Sequence, residues 1–170
     1  MQISTSYRET RLAKYPETVN IIIVKDGEDR FNPMSASWVM FTSIEPTMLA
    51  ISIGFERYTY ELVKKQGEFV ISMPSEGMSR EVEYFGSNSG RDVDKLKELG
   101  TAIEPASKID NVLLSDATAN FECRVTGTLK TGDHMIFAAE IIASHINDAK
   151  NPRLYVLAPK QFGGLKPNPA

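Results

Sequence analysis

Arg57 and Thr59 form the part of the sequence best suited to binding an anion. The arginine brings a guanidinium and the threonine a hydroxyl, and both stand where a helix over 58–66 is predicted to begin. The first N–H groups of a helix lack partners within it, and the helix dipole adds positive charge at the same end. Such donors and charges together can hold a phosphate group. We therefore predict an anion site here, and the simpler alternative is a solvated surface arginine.

The two histidines, His134 and His145, are the other candidates for chemistry. They stand eleven residues apart, an odd offset, so on one extended strand their side chains point to opposite faces and do not share a metal ion. No metal site is predicted. A Ser-His-Asp triad stays open, because triads are assembled in space and not along the chain.

Cys123 is the only cysteine in the sequence, so no pair of thiols is available for redox chemistry. It lies in the alternating run 119–125, which is typical of a strand, and a packed, unreactive thiol is expected there. Any redox chemistry of this protein must therefore be supplied by a cofactor.

Several familiar catalytic and nucleotide-binding motifs are missing. The sequence has no GxGxxG, GxxxxGK[ST], HExxH, GxSxG or CxxC pattern, which argues against Rossmann dehydrogenases, P-loop NTPases, zincins and α/β-hydrolases. The net charge of -3, from 19 Lys and Arg against 22 Asp and Glu, argues against a nucleic-acid partner.

The length and composition fit one globular domain over 1–170. Residues 1–14 alternate polar and charged side chains, unlike a secretory signal. No run of about 18 apolar residues is present to span a membrane. We expect a cytoplasmic protein with no membrane partner.

The elements that must position the candidate residues are mostly strands. Apolar or alternating runs predict them at 19–24, 36–42, 48–54, 68–73, 112–114, 119–129, 134–146 and 153–157. Helices are predicted over 58–66, 78–85 and 92–99, and the proline-broken segment 31–35 is predicted to be a connection. The expected fold is mainly β (α+β), with an antiparallel, Greek-key-like sheet closed into a small barrel and small helical insertions.

Five short segments stand out when they are taken together. They are 32–38 (NPMSASW), 43–46 (SIEP), 57–59 (RYT) before a helix that ends at 67–70 (GEFV), 89–95 (SGRDVDK) and 132–134 (GDH). Their order and spacing resemble those of the flavin reductase-like family of FMN-binding split β-barrels, in which flavoredoxins and archaeal ferric reductases look most similar. The similarity covers about 15–162.

The resemblance implies a homodimer in which each barrel binds FMN non-covalently and takes hydride from NADH or NADPH. Electrons then pass to a ferric chelate, a free flavin or a redox protein. His134 is implied to be the catalytic residue, which positions the nicotinamide or stabilises charge on the reduced flavin. The implied cofactor-binding residues are Asn32, Ser35, Ala36, Ser37, Trp38, Ser43, Arg57, Tyr58, Thr59, Ser72, Ser89, Arg91 and Lys95.

Some of these residues have simpler explanations. Trp38 is equally well explained as a core or interface residue. The segment 89–95 is typical of a solvent-facing loop before a charged helix. Ser72 departs from the family pattern, which often has asparagine at this place.

Other functions of related barrels stay open at this point. The protein could be an electron carrier that holds FMN tightly and reacts poorly with NAD(P)H, or a reductase that feeds reduced flavin to a monooxygenase. A pyridoxamine phosphate oxidase and a haem-binding module are further alternatives. For haem, a histidine would have to be an axial ligand.

Overall fold

Antiparallel strands make up most of residues 1–165, which a computed structural model describes. The strands are β1 (Glu17–Thr18), β2 (Asn20–Lys25), β3 (Phe31–Ala36), β4 (Val39–Ser43), β5 (Met48–Gly54), β6 (Glu68–Met73), β7 (Ile103–Pro105), β8 (Val112–Leu114), β9 (Ala119–Thr131), β10 (His134–Ile146), β11 (Leu154–Ala158) and β12 (Gln161–Gly164). The helices are α1 (Tyr7–Thr10), α2 (Tyr58–Gln66), α3 (Ser79–Ser87) and α4 (Lys95–Leu99), with 3₁₀ turns at Arg11–Lys14 and Glu76–Met78. No helix in these 165 residues is long and apolar enough to cross a membrane.

The main sheet has seven strands in the order β3-β2-β6-β9-β10-β5-β4, and each neighbouring pair is antiparallel. Its two edge strands, β3 and β4, are consecutive in the chain and are separated only by Ser37 and Trp38. A flat sheet of seven strands is roughly 29 Å across, whereas this link spans about 10 Å. The sheet therefore curls until its edges meet at Ser37 and Trp38, and the predicted antiparallel barrel is confirmed.

Strand β2 is buried on both faces, as its unbroken apolar run predicts. Ile21 and Ile23 pack with α3, α4 and β8, in a cluster on the outside of the barrel. Ile22 and Val24 pack with side chains of β5, β6 and β10, inside the closed sheet. The barrel interior and the layer of small helices thus pack on opposite faces of the same strand.

Strands β9 and β10 form a long hairpin, as the turn residues 131–133 (TGD) between the two predicted strands indicate. Gly132 has φ of +52°, in the left-handed region that glycine adopts most readily, and it turns the chain between the two strands. Because the hairpin pairs His134 with Thr131 and with Gly54 of β5, His134 lies at the end of the barrel.

The prediction of a connection over 31–35 was wrong, because these residues belong to β3. Pro33 lies opposite Ile23 of β2 in an edge strand that is paired on one side only. The unpaired side of β3 forms no hydrogen bonds to another strand. A proline there, which lacks an N–H, therefore removes no hydrogen bond between strands and is tolerated. The strand predicted over 36–42 correspondingly begins only at Val39.

Helix α4 is shorter than the predicted 92–99. It starts at Lys95 because Asp94 is its N-cap, with a side-chain oxygen that accepts from the Lys97 N–H at 3.2 Å. The helical turn α1 and the short strands β1, β7 and β12 were not predicted. Ser6 and Glu9 form a capping box at α1, so the sequence did carry a signal for that helix.

A buried carboxylate fixes the loop 107–109 to the sheet. Glu122 of β9 is fully buried and accepts hydrogen bonds from the N–H groups of Ser107 (2.7 Å), Lys108 (2.7 Å) and Ile109 (3.0 Å). It also accepts from the Ser107 hydroxyl and contacts His145 Nε2 at 2.7 Å. Burial raises the pKa of Glu122, but these donors outweigh burial and lower it to about 2.

Candidate functional site

Two adjoining cavities open where the edges of the barrel meet. The first, which we call the aromatic cavity, has a volume of about 350 Å³ and is lined by residues that include Ser35, Ser37, Trp38 and His134. The second, the polar cavity, has about 190 Å³ and is lined by residues that include Asn32, Thr59, Ser89, Arg91 and Lys95. Met34, Glu56, Arg57 and Gly86 line both. The two cavities therefore form one elongated site.

Lys95 provides a buried positive charge in the polar cavity. Its side chain donates to the carbonyl oxygens of Phe85 (3.3 Å) and Asn88 (3.4 Å), and only 3% of the residue is exposed. Burial, together with the nearby charge of Arg30, lowers the pKa of Lys95 to about 8. Within residues 1–165 no carboxylate forms an ion pair with it. A buried ammonium without a counter-charge is costly, so this cavity is electrostatically suited to an anion.

Asn32 supplies a second unsatisfied group in the same cavity. Its Nδ2 donates to Thr59 Oγ1 at 2.9 Å, but within residues 1–165 its buried Oδ1 has no hydrogen-bond partner. Gly90 lies against it so closely that a Cβ there would overlap Oδ1 and come within 2.8 Å of Asn32 Cγ. Arg30 holds this approach in place by donating to the carbonyl oxygens of Gly90 and Val93. The wall of the polar cavity thus contains a buried acceptor that no described group satisfies.

Helix α2 begins at the junction of the two cavities. Arg57 is its N-cap and makes no side-chain hydrogen bond to the helix. No capping side chain therefore covers the first N–H groups, of which the Tyr60 N–H donates to the Arg57 carbonyl at 3.0 Å. The Arg57 guanidinium contacts Glu56 at 3.0 Å and is half-exposed. Arg91 lies over the Tyr58 ring at 5.0 Å and contacts Glu61 Oε1 at 2.5 Å.

Tyr58 is held by its hydroxyl, which donates to the carboxylate of Asp26. This hydrogen bond, and then burial, raise the pKa of Tyr58 above its usual value. The ring therefore forms a fixed, neutral wall beside the cationic side chains of the polar cavity.

Trp38 and His134 form the far end of the aromatic cavity. Their ring centroids are 4.8 Å apart with an angle of 40° between the planes. The Trp38 carbonyl accepts from the Ser52 N–H at 3.0 Å, and this hydrogen bond joins the two-residue connection between β3 and β4 to β5. His134 Nδ1 contacts Asp133 Oδ1 at 2.6 Å, and this hydrogen bond lowers the pKa of Asp133. With Nδ1 occupied in this way, Nε2 is the ring nitrogen left for a ligand.

Twelve of the fourteen predicted site residues line one cavity or the other. They are Asn32, Ser35, Ala36, Ser37, Trp38, Arg57, Tyr58, Thr59, Ser89, Arg91, Lys95 and His134. Ser43 and Ser72 line neither. Ser43 lies at the end of β4, and Ser72 is buried in β6, where its hydroxyl donates to Asn120 Oδ1 at 2.5 Å. Ser35 is also partly engaged, since its hydroxyl donates to the Val82 carbonyl at 2.7 Å.

Several lining residues were not predicted. Ser52, Gly54 and Glu56 lie at and just beyond the end of β5, and Gly86 and Asn88 lie at the end of α3. The signal in the sequence at 86–88 is the small size of Gly86 and Ser87, which lets the backbone approach a ligand closely. Arg11 reaches the aromatic cavity from the distant N-terminal segment.

A metal centre is not seen in the part of the chain that the structure describes. Among residues 1–165 no group of three His, Cys, Asp or Glu side chains could hold a metal ion. His134 and His145 lie in different surroundings, the first beside Trp38 and the second on Glu122. Cys123 is buried, and burial followed by the charge of Glu122 raises the pKa of its thiol to about 12.

Solved structures with the same fold define the class of protein. The flavoredoxin of Desulfovibrio vulgaris (Miyazaki F) has a TM-score of 0.86 at 24% identity, covering 100% of this chain and 96% of that one. An NADH:FAD oxidoreductase of Streptomyces globisporus has a TM-score of 0.83 at 19% identity, covering 98% of each chain. The fold is that of the flavin reductase-like barrels.

The sequence comparisons identify the family. The sequence model of the flavin reductase like domain matches residues 12–166. An uncharacterized protein of Pyrococcus abyssi is 35% identical over 154 residues, which cover 91% of this chain and 81% of that protein. The chain belongs to the flavin reductase-like family, as its motifs indicated.

Proposed function

We propose that this protein is an FMN-dependent oxidoreductase that takes hydride from NADH or NADPH and passes electrons to a second acceptor. The observation that carries the proposal is the buried, uncompensated Lys95 ammonium in a polar cavity that is continuous with an aromatic one. An elongated ligand with a phosphate at one end and a flat ring at the other matches both parts. We further propose that 1–170 acts as one flavin-binding domain, although 166–170 lie outside the described residues.

The residues present fit FMN. Lys95, Arg57, Thr59, Ser89 and Arg91 would hold its phosphate, because they bring cations and hydroxyls to one cavity. When bound, the flavin supplies a two-electron centre that accepts hydride and can release electrons singly or in pairs.

The other cavity would hold the flavin ring and the ribityl chain. Residues 35–38 give the ring a wall of small side chains with Trp38 at its end. Asn32, whose buried Oδ1 has no partner within residues 1–165, lines the adjoining polar cavity. Tyr58 fixes the wall of the polar cavity. Ser43 and Ser72 line neither cavity, and contact of either with the cofactor stays a prediction.

His134 is proposed to position the nicotinamide. Its ring is held between Trp38 and Asp133, with Nε2 directed away from the Asp133 contact. A donor bound in the aromatic cavity would meet this ring nitrogen and the half-exposed indole. The residue orients the donor and need not exchange a proton with it.

Anaerobic absorbance spectroscopy tests the proposed reaction. The FMN-loaded protein is mixed with NADH or NADPH, and the flavin bands are expected to bleach with at least one of them. Bands that bleach only with dithionite would indicate an electron carrier and contradict the reductase. A Soret band in the purified protein would contradict the flavin assignment and indicate haem.

Replacing His134 with alanine is expected to slow flavin reduction by NAD(P)H by about tenfold, because the donor loses a group that orients it. FMN affinity and the flavin spectrum should change little, since the polar cavity is untouched. Stopped-flow reduction at saturating nucleotide measures the rate. A rate equal to that of the unmodified protein would remove His134 from the mechanism.

We also propose that the protein is a homodimer that uses the exposed apolar side chains of the edge strand β4 and of the turn that follows it. Met40 is 64% exposed, Phe41 57% and Ile44 in the following turn 91%, and an edge strand with such side chains is unusual on a free surface. Light scattering should give twice the chain mass of 18.9 kDa. Met40→Glu should yield monomers, whereas Ile103→Glu on the separate β7 should not. A monomeric unmodified protein would contradict the proposal.

A further inference from the structure

The N-terminal segment brings a cationic side chain to the aromatic cavity. Arg11 lines this cavity together with Trp38, Arg57 and His134, although it is 27 residues away from the nearest of them in sequence. A capping box of Ser6 and Glu9 starts α1, and Arg11 opens the 3₁₀ turn that follows directly. The local sequence therefore determines where α1 begins, and Arg11 follows directly after its last residue.

Arg11 differs from the other arginines of the site in having no counter-charge. Arg57 contacts Glu56, and Arg91 contacts Glu61. Arg11 makes no ion pair and no side-chain hydrogen bond within residues 1–165. Since Arg57 and Glu56 offset one another, Arg11 leaves the mouth of the aromatic cavity with an excess of positive charge.

The segment that carries Arg11 is loosely attached to the barrel. Neither α1 nor the 3₁₀ turn contributes a buried residue, and every residue from 1 to 13 is exposed. A side chain on such a segment can adjust to a ligand that enters and leaves at each turnover, whereas the Lys95 side chain of the polar cavity is buried. Arg11 is thus placed for a transient substrate and not for the resident cofactor.

We propose that Arg11 binds the anionic group of the substrate that exchanges electrons at the aromatic cavity, and so favours charged over neutral substrates. This inference rests on the proposed function. The group it would recognise is an oxyanion, which is a phosphate on a nicotinamide nucleotide or a carboxylate on a ferric chelate, and a guanidinium binds both through paired N–H donors.

The test compares charged and neutral reagents in each half-reaction of the FMN-loaded protein. Reduction is measured with NADPH and with 1-benzyl-1,4-dihydronicotinamide, which lacks phosphate. Reoxidation is measured with ferric citrate and with an uncharged quinone. The variants are Arg11→Ala, Arg11→Lys and the control Arg8→Ala, which alters a cation on the same segment that does not line the cavity.

Arg11→Ala is expected to raise the half-saturating concentration of one charged reagent by about tenfold. The half-saturating concentration of the matching neutral reagent and the affinity for FMN should not change. A weaker affinity for NADPH identifies the phosphate as the group that Arg11 binds, and a weaker affinity for ferric citrate identifies the carboxylate. Arg11→Lys should recover part of the affinity, and added salt should reduce the difference.

The inference is overturned if Arg11→Ala and the unmodified protein have the same half-saturating concentrations for both charged reagents. It is also overturned if the affinity for neutral reagents falls as much as that for charged reagents. Loss of FMN affinity in Arg11→Ala would also overturn it, because Arg11 would then serve the cofactor. Failure of the unmodified protein to bind FMN would instead refute the proposed function. The two failures are therefore distinguished in the same experiment.

Discussion

Lys95→Met is expected to weaken FMN binding by about 10- to 100-fold, which corresponds to roughly 1.5–3 kcal/mol for a charge-assisted hydrogen bond. The ammonium is buried at the polar cavity and lacks a carboxylate partner within residues 1–165. A phosphate would complete this site, and methionine removes the charge while filling a similar volume. Because the replacement is apolar and the position is buried, the fold should tolerate it.

Riboflavin makes this experiment specific for the phosphate. It has the same ring and ribityl chain as FMN, so Lys95→Met should change riboflavin affinity by much less. Lys97→Met is the matched control, since Lys97 is exposed on the same helix. Equal losses of FMN and riboflavin affinity, or no loss of either, would place the phosphate elsewhere.

The same residue predicts a dependence of FMN affinity on pH. Lys95 holds a phosphate only when it is protonated, and in the free protein its pKa is lowered to about 8. Between about pH 7 and 8, above the second pKa of the phosphate near 6, affinity should be flat. Above pH 8 it should fall by up to about tenfold per pH unit, until the raised pKa of the bound state is reached. In Lys95→Met this fall should be absent.

Glu122→Gln is expected to lower the free energy of unfolding by roughly 3 kcal/mol, because a buried network loses its acceptor. The carboxylate accepts three backbone N–H groups and one hydroxyl, and it contacts His145. An amide supplies one oxygen in place of two and points its NH₂ group at donors. The N–H groups of the loop 107–109 would be left partly unsatisfied.

The same carboxylate also predicts how the free energy of unfolding depends on pH. The pKa of Glu122 is lowered from 4.5 to about 2 in the folded protein, so its ionised form stabilises the fold above pH 4.5. This contribution is lost as the pH falls from 4.5 towards 2. Urea unfolding of the unmodified protein should show that decline, and Glu122→Gln should lack it.

Glu104→Gln, at an exposed position on β7, is the control for the stability measurements. It should be as stable as the unmodified protein at every pH. If Glu122→Gln unfolds at the same urea concentration as this control, the buried hydrogen bonds contribute nothing measurable.

Local patterns were sufficient for most of the sheet. The apolar run of β2 predicted a strand buried on both faces, and Gly132 predicted the turn of the long hairpin. Pro33 misled the prediction, because its tolerance depends on β3 being an edge strand, which only the order of the whole sheet decides. The sequence also showed no sign that β3 and β4 would close the barrel.

The candidate site was predicted through motifs more than through physical chemistry. Twelve of the predicted residues do line the two cavities, yet nothing in the polar segment 94–99 indicates that Lys95 is buried and Lys97 is exposed. That difference depends on how α4 packs against the barrel. The burial of Glu122 and the approach of Arg11 depend in the same way on contacts that are distant in the sequence.

The central claim, that the two adjoining cavities bind one FMN per chain, is tested most directly by an FMN titration followed through tryptophan fluorescence. Trp38 is the only tryptophan in the sequence and lines the aromatic cavity, and oxidised flavin absorbs where tryptophan emits. Saturable quenching that ends at one FMN per chain is expected, with flavin retained on gel filtration. Fluorescence that stays unquenched, with no flavin retained by the protein, would contradict it.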